Sequence, residues 1–177
     1  LPKDKKVIMY APTWRVRDKF ELMLDLENMK EKFSDEYVLI LRLHHFSAKG
    51  WKGVPADGFV YDLTDYESIE DLYIITDILI TDYSSVMFDY SILNRPMLFF
   101  AYDLEDYKEN LRGFYFDFVN DIPGPISRDT DQLIKDIKEY NEDSWKEKYK
   151  NYHDKFNGID DGHASQKVID VIKKVSR

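Results

Sequence analysis

The chain contains no cysteine. That excludes a disulfide framework, a thiolate metal site and thiol catalysis, and it permits a reducing cytoplasmic setting. No apolar run approaches the roughly 20 residues that a membrane-spanning helix needs. No hydrophobic signal region follows Leu1-Pro2-Lys3-Asp4-Lys5-Lys6, so the sequence reads as a soluble piece. Positive charge is in deficit: 25 Lys and Arg stand against 34 Asp and Glu, for a formal net charge of −9. A nucleic-acid binder draws its affinity from a basic face, so that class is set aside. A Gly-rich dinucleotide fingerprint, a Walker loop and a His-Glu-x-x-His pair are all missing, and no metal cluster stands out. Carboxylates are plentiful, but nothing in their spacing separates a catalytic pair from a solvated acidic surface.

What remains is a chain of 177 residues, 44% hydrophobic, long enough to bury the core of one ordinary domain. It carries no internal repeat, low-complexity tract or linker, so residues 1–177 are kept as one unit. Aromatics reach 15%, and the run Phe114-Tyr115-Phe116-Asp117-Phe118 reads as core packing in preference to ligand stacking.

The most informative stretch is Asp77 to Tyr90. Ile78-Leu79-Ile80 reads as a strand buried on both faces, and Val86, Phe88, Ile92 and Leu93 supply the buried side of a helix that follows. Ser84 or Ser85 would then stand at the helix N-cap, where unpaired backbone N–H groups and the positive end of the helix dipole favour an anion. Further strands are predicted at Val7–Ala11, Tyr37–Leu43, Phe59–Tyr61 and Met97–Phe100, with helices between them at Asp25–Phe33 and Ile69–Thr76. The alternation predicts an α/β fold with a Rossmann-like, doubly wound parallel sheet. After Phe116 the pattern becomes a turn at Pro123-Gly124-Pro125-Ile126 and three helices, the last running from Asp161-Gly162 to Val175.

Ligands of such sheets bind beyond the carboxyl ends of the strands, and the polar clusters fall there. Arg15, after Pro12-Thr13-Trp14, has the planar fork to clamp a phosphate, although an Arg beside a packed Trp is the commoner reading. Arg42 carries the same ambiguity. His44 ends an apolar strand and could donate to a phosphate oxygen or stabilise charge on a leaving group; a structural strand-end His is an equal alternative. His45 would point to the opposite side if the strand persists. Asp161-Gly162 reads first as capping chemistry, with interest only if that helix start faces the same crevice as Ser84 and Ser85.

The ordered set Tyr10-Ala11-Pro12-Thr13-Trp14-Arg15, Leu41-Arg42-Leu43-His44, Ile80-Thr81-Asp82-Tyr83-Ser84-Ser85 with Phe88-Asp89, Arg95-Pro96, Arg112-Gly113, Pro123-Gly124-Pro125 and Asp161-Gly162-His163-Ala164-Ser165 resembles the carboxyl-terminal half of the CDP-glycerol glycerophosphotransferases. Those enzymes prime or polymerise teichoic acids. The resemblance implies the carboxyl-terminal lobe of a two-lobed GT-B enzyme, with the amino-terminal acceptor lobe absent from this sequence. The implied substrate is CDP-glycerol or CDP-ribitol, bound with no separate cofactor and no metal. An alcohol on the growing, lipid-linked polymer attacks the phosphorus carrying the polyol, and CMP leaves. By resemblance His44 contacts the pyrophosphate and is the catalytic candidate. Arg15, Arg42, Ser84, Ser85, Gly162, His163 and Ala164 bind substrate, while Thr13 and Asp82 support the loop. A second functional His, the base, belongs to the lobe missing here, and Lys or Arg is common in the family where His163 stands. The implied setting is the cytoplasm, peripheral to the inner face of the cell membrane. Two rivals remain: the sugar-nucleotide lobe of a UDP-dependent GT-B transferase, and a phospho-receiver-like signalling module with Asp82 as acceptor. The second lacks an acidic pair after the first strand, where Tyr10-Ala11-Pro12 sits.

Overall fold

A computed structural model describes residues 1–15, 21–44, 51–111 and 113–175. His45 and Arg112 lie outside these. Six strands form one sheet in the order β3-β2-β1-β4-β5-β6, every pair parallel. The strands are β1 (Lys6–Tyr10), β2 (Tyr37–Leu41), β3 (Val60–Asp62), β4 (Ile78–Thr81), β5 (Met97–Phe100) and β6 (Ile126–Ser127).

The alternation of side chains along each strand divides the core in two. Val7, Met9, Val38, Ile40, Leu79, Met97 and Phe99 face one side. There they meet α2 (Ile69–Ile75), α3 (Val86–Ser91), α5 (Phe118–Asp121) and α7 (Glu142–Phe156), through Leu72, Tyr73, Met87, Tyr90, Phe118, Tyr149 and Tyr152. Ile8, Tyr10, Leu39, Leu41, Ile78, Ile80, Leu98 and Phe100 face the other side. That side is covered by α1 (Leu26–Phe33) and α6 (Thr130–Glu139), through Met29, Phe33, Leu133, Ile134 and Ile137. A sheet buried on both faces accounts for strands that read as continuous apolar runs. The helices start at short polar caps: Asp25, Ser68, Asp117, Asp129 and Asn141 each accept a backbone N–H of the first turn.

Three features depart from the sequence expectation. First, β2 stops at Leu41. Arg42 N–H still bonds the Tyr10 carbonyl at 2.9 Å, but Leu43 N–H turns to the Thr64 hydroxyl, which ends the ladder. Second, the turn at Pro123–Ile126 leads directly into an edge strand. The Pro125 carbonyl accepts Phe99 N–H at 2.9 Å, and Ile126 and Ser127 pair with Phe99 and Phe100. A proline is tolerated there because an edge position asks no N–H of it. Third, α4 (Leu104–Asp106) runs into a π-helical turn at Tyr107–Leu111, closed by Gly113 N–H on the Tyr107 carbonyl. The polar Tyr-Lys-Glu-Asn-Leu sequence carries no apolar period that would announce it.

Candidate functional site

β1 and β4 are neighbours at the point where the strand order reverses, the place where open parallel sheets form a crevice. Their carboxyl ends are tied together: Ala11 N–H bonds the Ile80 carbonyl at 2.9 Å, and the Thr81 hydroxyl bonds the Ala11 carbonyl at 2.8 Å. Just beyond, Asp82 is fully buried and accepts from Thr13 N–H at 2.8 Å, Tyr83 N–H at 2.6 Å and Arg15 Nη2 at 3.0 Å. Arg15 also reaches Asp103, past the end of β5, through Nε at 2.7 Å and Nη2 at 2.9 Å, and donates to the Thr13 carbonyl. The guanidinium lies 5.1 Å from the ring centre of Tyr83 and 5.3 Å from that of Tyr107. One cation and two carboxylates thus lock three strand ends together.

Burial disfavours the Arg15 cation, but the Asp103 hydrogen bond and the charge of Asp82 outweigh it and hold the guanidinium above its ordinary value. Burial lifts the Asp82 carboxyl, against the pull of Arg15 and Thr13. Asp103 is also penalised by burial, yet its hydrogen bonds from Arg15 and Tyr83 bring it below the usual carboxylate range. The Tyr83 phenol, raised by burial and by Asp103, stays protonated and donates to Asp103 at 3.2 Å.

In front of this centre lies a crevice of about 720 Å³. Its polar end is made by Thr13, Trp14, His44, Ser84 and Ser85. The half-buried His44 ring stacks on Trp14, with centroids 6.2 Å apart and planes inclined by 27°. Ser85 is the cap residue of α3 but makes no side-chain capping bond, so its hydroxyl is not spent on the helix. α3 has only six residues, so it offers local N–H groups more than a long dipole. Thr13 Oγ1 is buried next to Asp82 and favours the charged form of its carboxyl, without a hydrogen bond of full geometry. The other end of the crevice is aromatic. Tyr83 stacks on Tyr107 at 3.9 Å, Phe114 stacks on Phe118 at 4.8 Å, and Phe88 meets Phe156 at 5.1 Å. Thus part of the Phe114–Phe118 run packs the core, while Tyr115 at the crevice is fully exposed.

The structure brings Thr13, His44, Ser84 and Ser85 to one place, with Asp82 beneath them. It does not bring the other candidates there. Arg15 turns its fork inward onto two carboxylates, because a buried guanidinium needs paired charge. Arg42 donates to the Thr64 carbonyl and does not line the crevice. Gly162, His163 and Ala164 are all exposed and do not line the crevice in this chain. Asn157 is the last buried residue before them; its side chain accepts from the Ser91 hydroxyl and donates to the Phe88 carbonyl. Beyond it residues 158–175 are all exposed, and α8 (Ala164–Val175) buries none of its residues. Gly162 takes a positive φ of 74°, and Asp161 caps His163 N–H and pairs with Lys167, a local turn complete in itself. Asp103 and the aromatic wall were not singled out by sequence reasoning. Asp103 had a signal, since it is the first acidic residue past the apolar strand β5.

The receiver reading fails on this geometry: Asp82 has no exposed surface and is held by three donors. Among the described residues no group of His, Asp and Glu side chains is placed to hold a metal, and no helix is long and apolar enough to cross a membrane.

Residues 1–174 match the family model described as CDP-glycerol:poly(glycerophosphate) glycerophosphotransferase. The chain is 44% identical over 183 aligned residues to the teichoic acid poly(glycerol phosphate) polymerase of Bacillus subtilis strain 168, covering 98% of this chain and 24% of that protein. It is 43% identical to the teichoic acid glycerol-phosphate transferase of Staphylococcus aureus strain NCTC 8325 / PS 47, covering 98% of this chain and 46% of that one. Among solved structures, the wall teichoic acid polymerase TagF, in a variant soaked with CDPG, superposes with a TM-score of 0.85 at 44% identity over 98% of this chain and 43% of that chain. The chain therefore spans from about a quarter to just under half of the length of these relatives. Its doubly wound parallel sheet is a Rossmann-like lobe of the GT-B kind. With a match that runs almost end to end, the chain belongs to the CDP-glycerol:poly(glycerophosphate) glycerophosphotransferase family.

Proposed function

We propose that this chain is the donor-binding lobe of a transferase that moves glycerol phosphate or ribitol phosphate from its CDP-activated form onto a teichoic-acid-type polymer, releasing CMP. The observation that carries this reading is the crevice at the strand-order reversal of a family member, with Ser84, Ser85, Thr13 and His44 converging at its polar end. The hydroxyls and the backbone N–H groups at the start of α3 hydrogen-bond the pyrophosphate. The acceptor hydroxyl forms a new O–P bond to the phosphorus that carries the polyol, and the bond from that phosphorus to the CMP oxygen breaks. His44 donates to the departing phosphate, where negative charge develops. The hydroxyl proton goes to a base that this lobe does not supply. Residues 1–177 act as one unit. The acceptor, a lipid-linked polymer, and the base belong to the remainder of the full-length enzyme, which works at the cytoplasmic face of the membrane.

Calorimetric titration of the purified chain with CDP-glycerol, CDP-ribitol, CMP and UDP-glucose tests the reading. The CDP compounds are expected to bind, without turnover. Preference for UDP-glucose would transfer the chain to the sugar-nucleotide rival. Ser84→Ala with Ser85→Ala is expected to remove about 1.5–3 kcal/mol per lost hydrogen bond to a charged group. Unchanged CDP affinity in that variant would show that the donor sits elsewhere.

A further inference from the structure

A second groove, of about 400 Å³, lies at the opposite end of the sheet, where the chain enters β5. One wall is Asn94-Arg95-Pro96 and the other is the first part of α7. Its floor is aromatic, formed by Tyr140, Trp145 and Tyr149. The Tyr149 hydroxyl is fixed to the Arg95 carbonyl at 3.0 Å, so the floor is held rigidly against the wall. Lys146, Lys150 and His153 rise from one face of α7 at helical spacing, and Arg95 belongs to the other wall. Among the described residues Glu142 is the one carboxylate that lines the groove, and Lys150 is shared with Asp154. Arg95 is anchored by the carbonyls of Ile74 and Thr76, at 2.7 and 2.6 Å, neutral acceptors that leave its charge in place.

A local excess of cations is unexpected on a chain of net charge −9. Aromatic faces accept the C–H-rich surface of a polyol, and a cationic rim attracts phosphate. A ligand that alternates polyol with phosphodiester matches both features at once. An inorganic anion would leave the aromatic floor unused, and a neutral sugar would leave the lysines unused.

We propose that this groove is a holding site for the poly(polyol phosphate) chain, separate from the donor crevice. The identity of the occupant rests on the function proposed above. A growing polymer retained there would stay at high effective concentration between transfers.

The test titrates the purified chain with a synthetic glycerol phosphate hexamer, with inorganic phosphate as control and CDP measured in parallel. The expected result is hexamer binding that weakens at least about tenfold in Lys146→Glu/Lys150→Glu and in Trp145→Ala, and weakens with added salt. CDP affinity in those variants should stay within about twofold, since the donor crevice lies beyond the carboxyl ends of the strands, at the other end of the sheet. Lys146→Gln/Lys150→Gln replaces the charge reversal if circular dichroism shows misfolding. The proposal is overturned if the hexamer does not bind, if phosphate binds equally well, or if only Ser84→Ala/Ser85→Ala removes hexamer binding. It is also overturned if the lysine variants lose sedimentation with phosphatidylglycerol vesicles while hexamer binding persists. Failure of CDP to bind, with hexamer binding intact and lysine-dependent, would strike the donor assignment and leave the groove standing.

Discussion

Replacing Arg15 with Met removes the single cation from a buried centre that keeps two carboxylates, Asp82 with no exposed side-chain surface and Asp103 with 8%. Methionine fills much of the volume, so the loss is electrostatic more than steric. Removing one partner of a buried ion pair costs about 3–5 kcal/mol, because the survivors keep their desolvation penalty and lose its compensation. For a domain of this size that corresponds to a fall of about 6–20 °C in melting temperature. The loss should depend on pH. A lone buried carboxylate takes up a proton in preference to staying charged, and burial already lifts Asp82 in the parent chain. A carboxyl whose folded pKa lies above its unfolded value destabilises the fold once pH exceeds the unfolded value, most fully above the folded one. The variant should therefore recover part of its deficit as pH is lowered from about 8 toward 5, the interval into which a lone buried carboxylate shifts. Urea unfolding at several pH values, with equal slopes for the two proteins, measures the difference. A deficit below about 1 kcal/mol at pH 7, or one that does not change with pH, would refute the view that this triad is what locks the three strand ends.

Other outcomes follow from the same geometry. Thr13→Val should lower CDP affinity, since the buried hydroxyl sits beside Asp82 at the polar end of the crevice; equal affinity would show that the hydroxyl does not serve the ligand. Gly124→Ala would place a Cβ 1.8 Å from the Met97 carbonyl oxygen, so β6 must move off β5, at about 1–3 kcal/mol in urea unfolding; a neutral result would show that this edge yields freely. In the full-length enzyme His44→Ala should lower kcat by about 10²–10³, the usual effect of losing one donor to developing charge. An equal or larger loss at His45 would move that role one residue along.

The sheet was legible because parallel strands buried on both faces leave continuous apolar runs, as at Val38–Leu41 and Ile78–Ile80. β6 was not, because two residues after a Pro-Gly-Pro turn carry too little pattern to separate a strand from a loop. That Thr13, His44, Ser84 and Ser85 would meet at one crevice was readable from their places just beyond strand ends. The direction of Arg15 was not. Its sequence neighbours are Trp14 and Val16, and the carboxylates that capture it come from positions 67 and 88 residues away. The place of Gly162, outside the crevice lining in this chain, was hidden for a related reason. A cap sequence announces a helix start but not where that start lies, and α8 buries no residue against the rest of the described chain.

These charge placements separate the two ends of the sheet. At the donor crevice the lining among the described residues includes no Lys or Arg, and the nearby cation Arg15 is outnumbered by Asp82 and Asp103. An anion held there depends on hydroxyls, backbone N–H groups and His44, which release few counterions when it binds. At the far groove Lys146, Lys150 and Arg95 supply the attraction, and added salt screens it. Raising the salt concentration should therefore weaken hexamer binding more steeply than CDP binding.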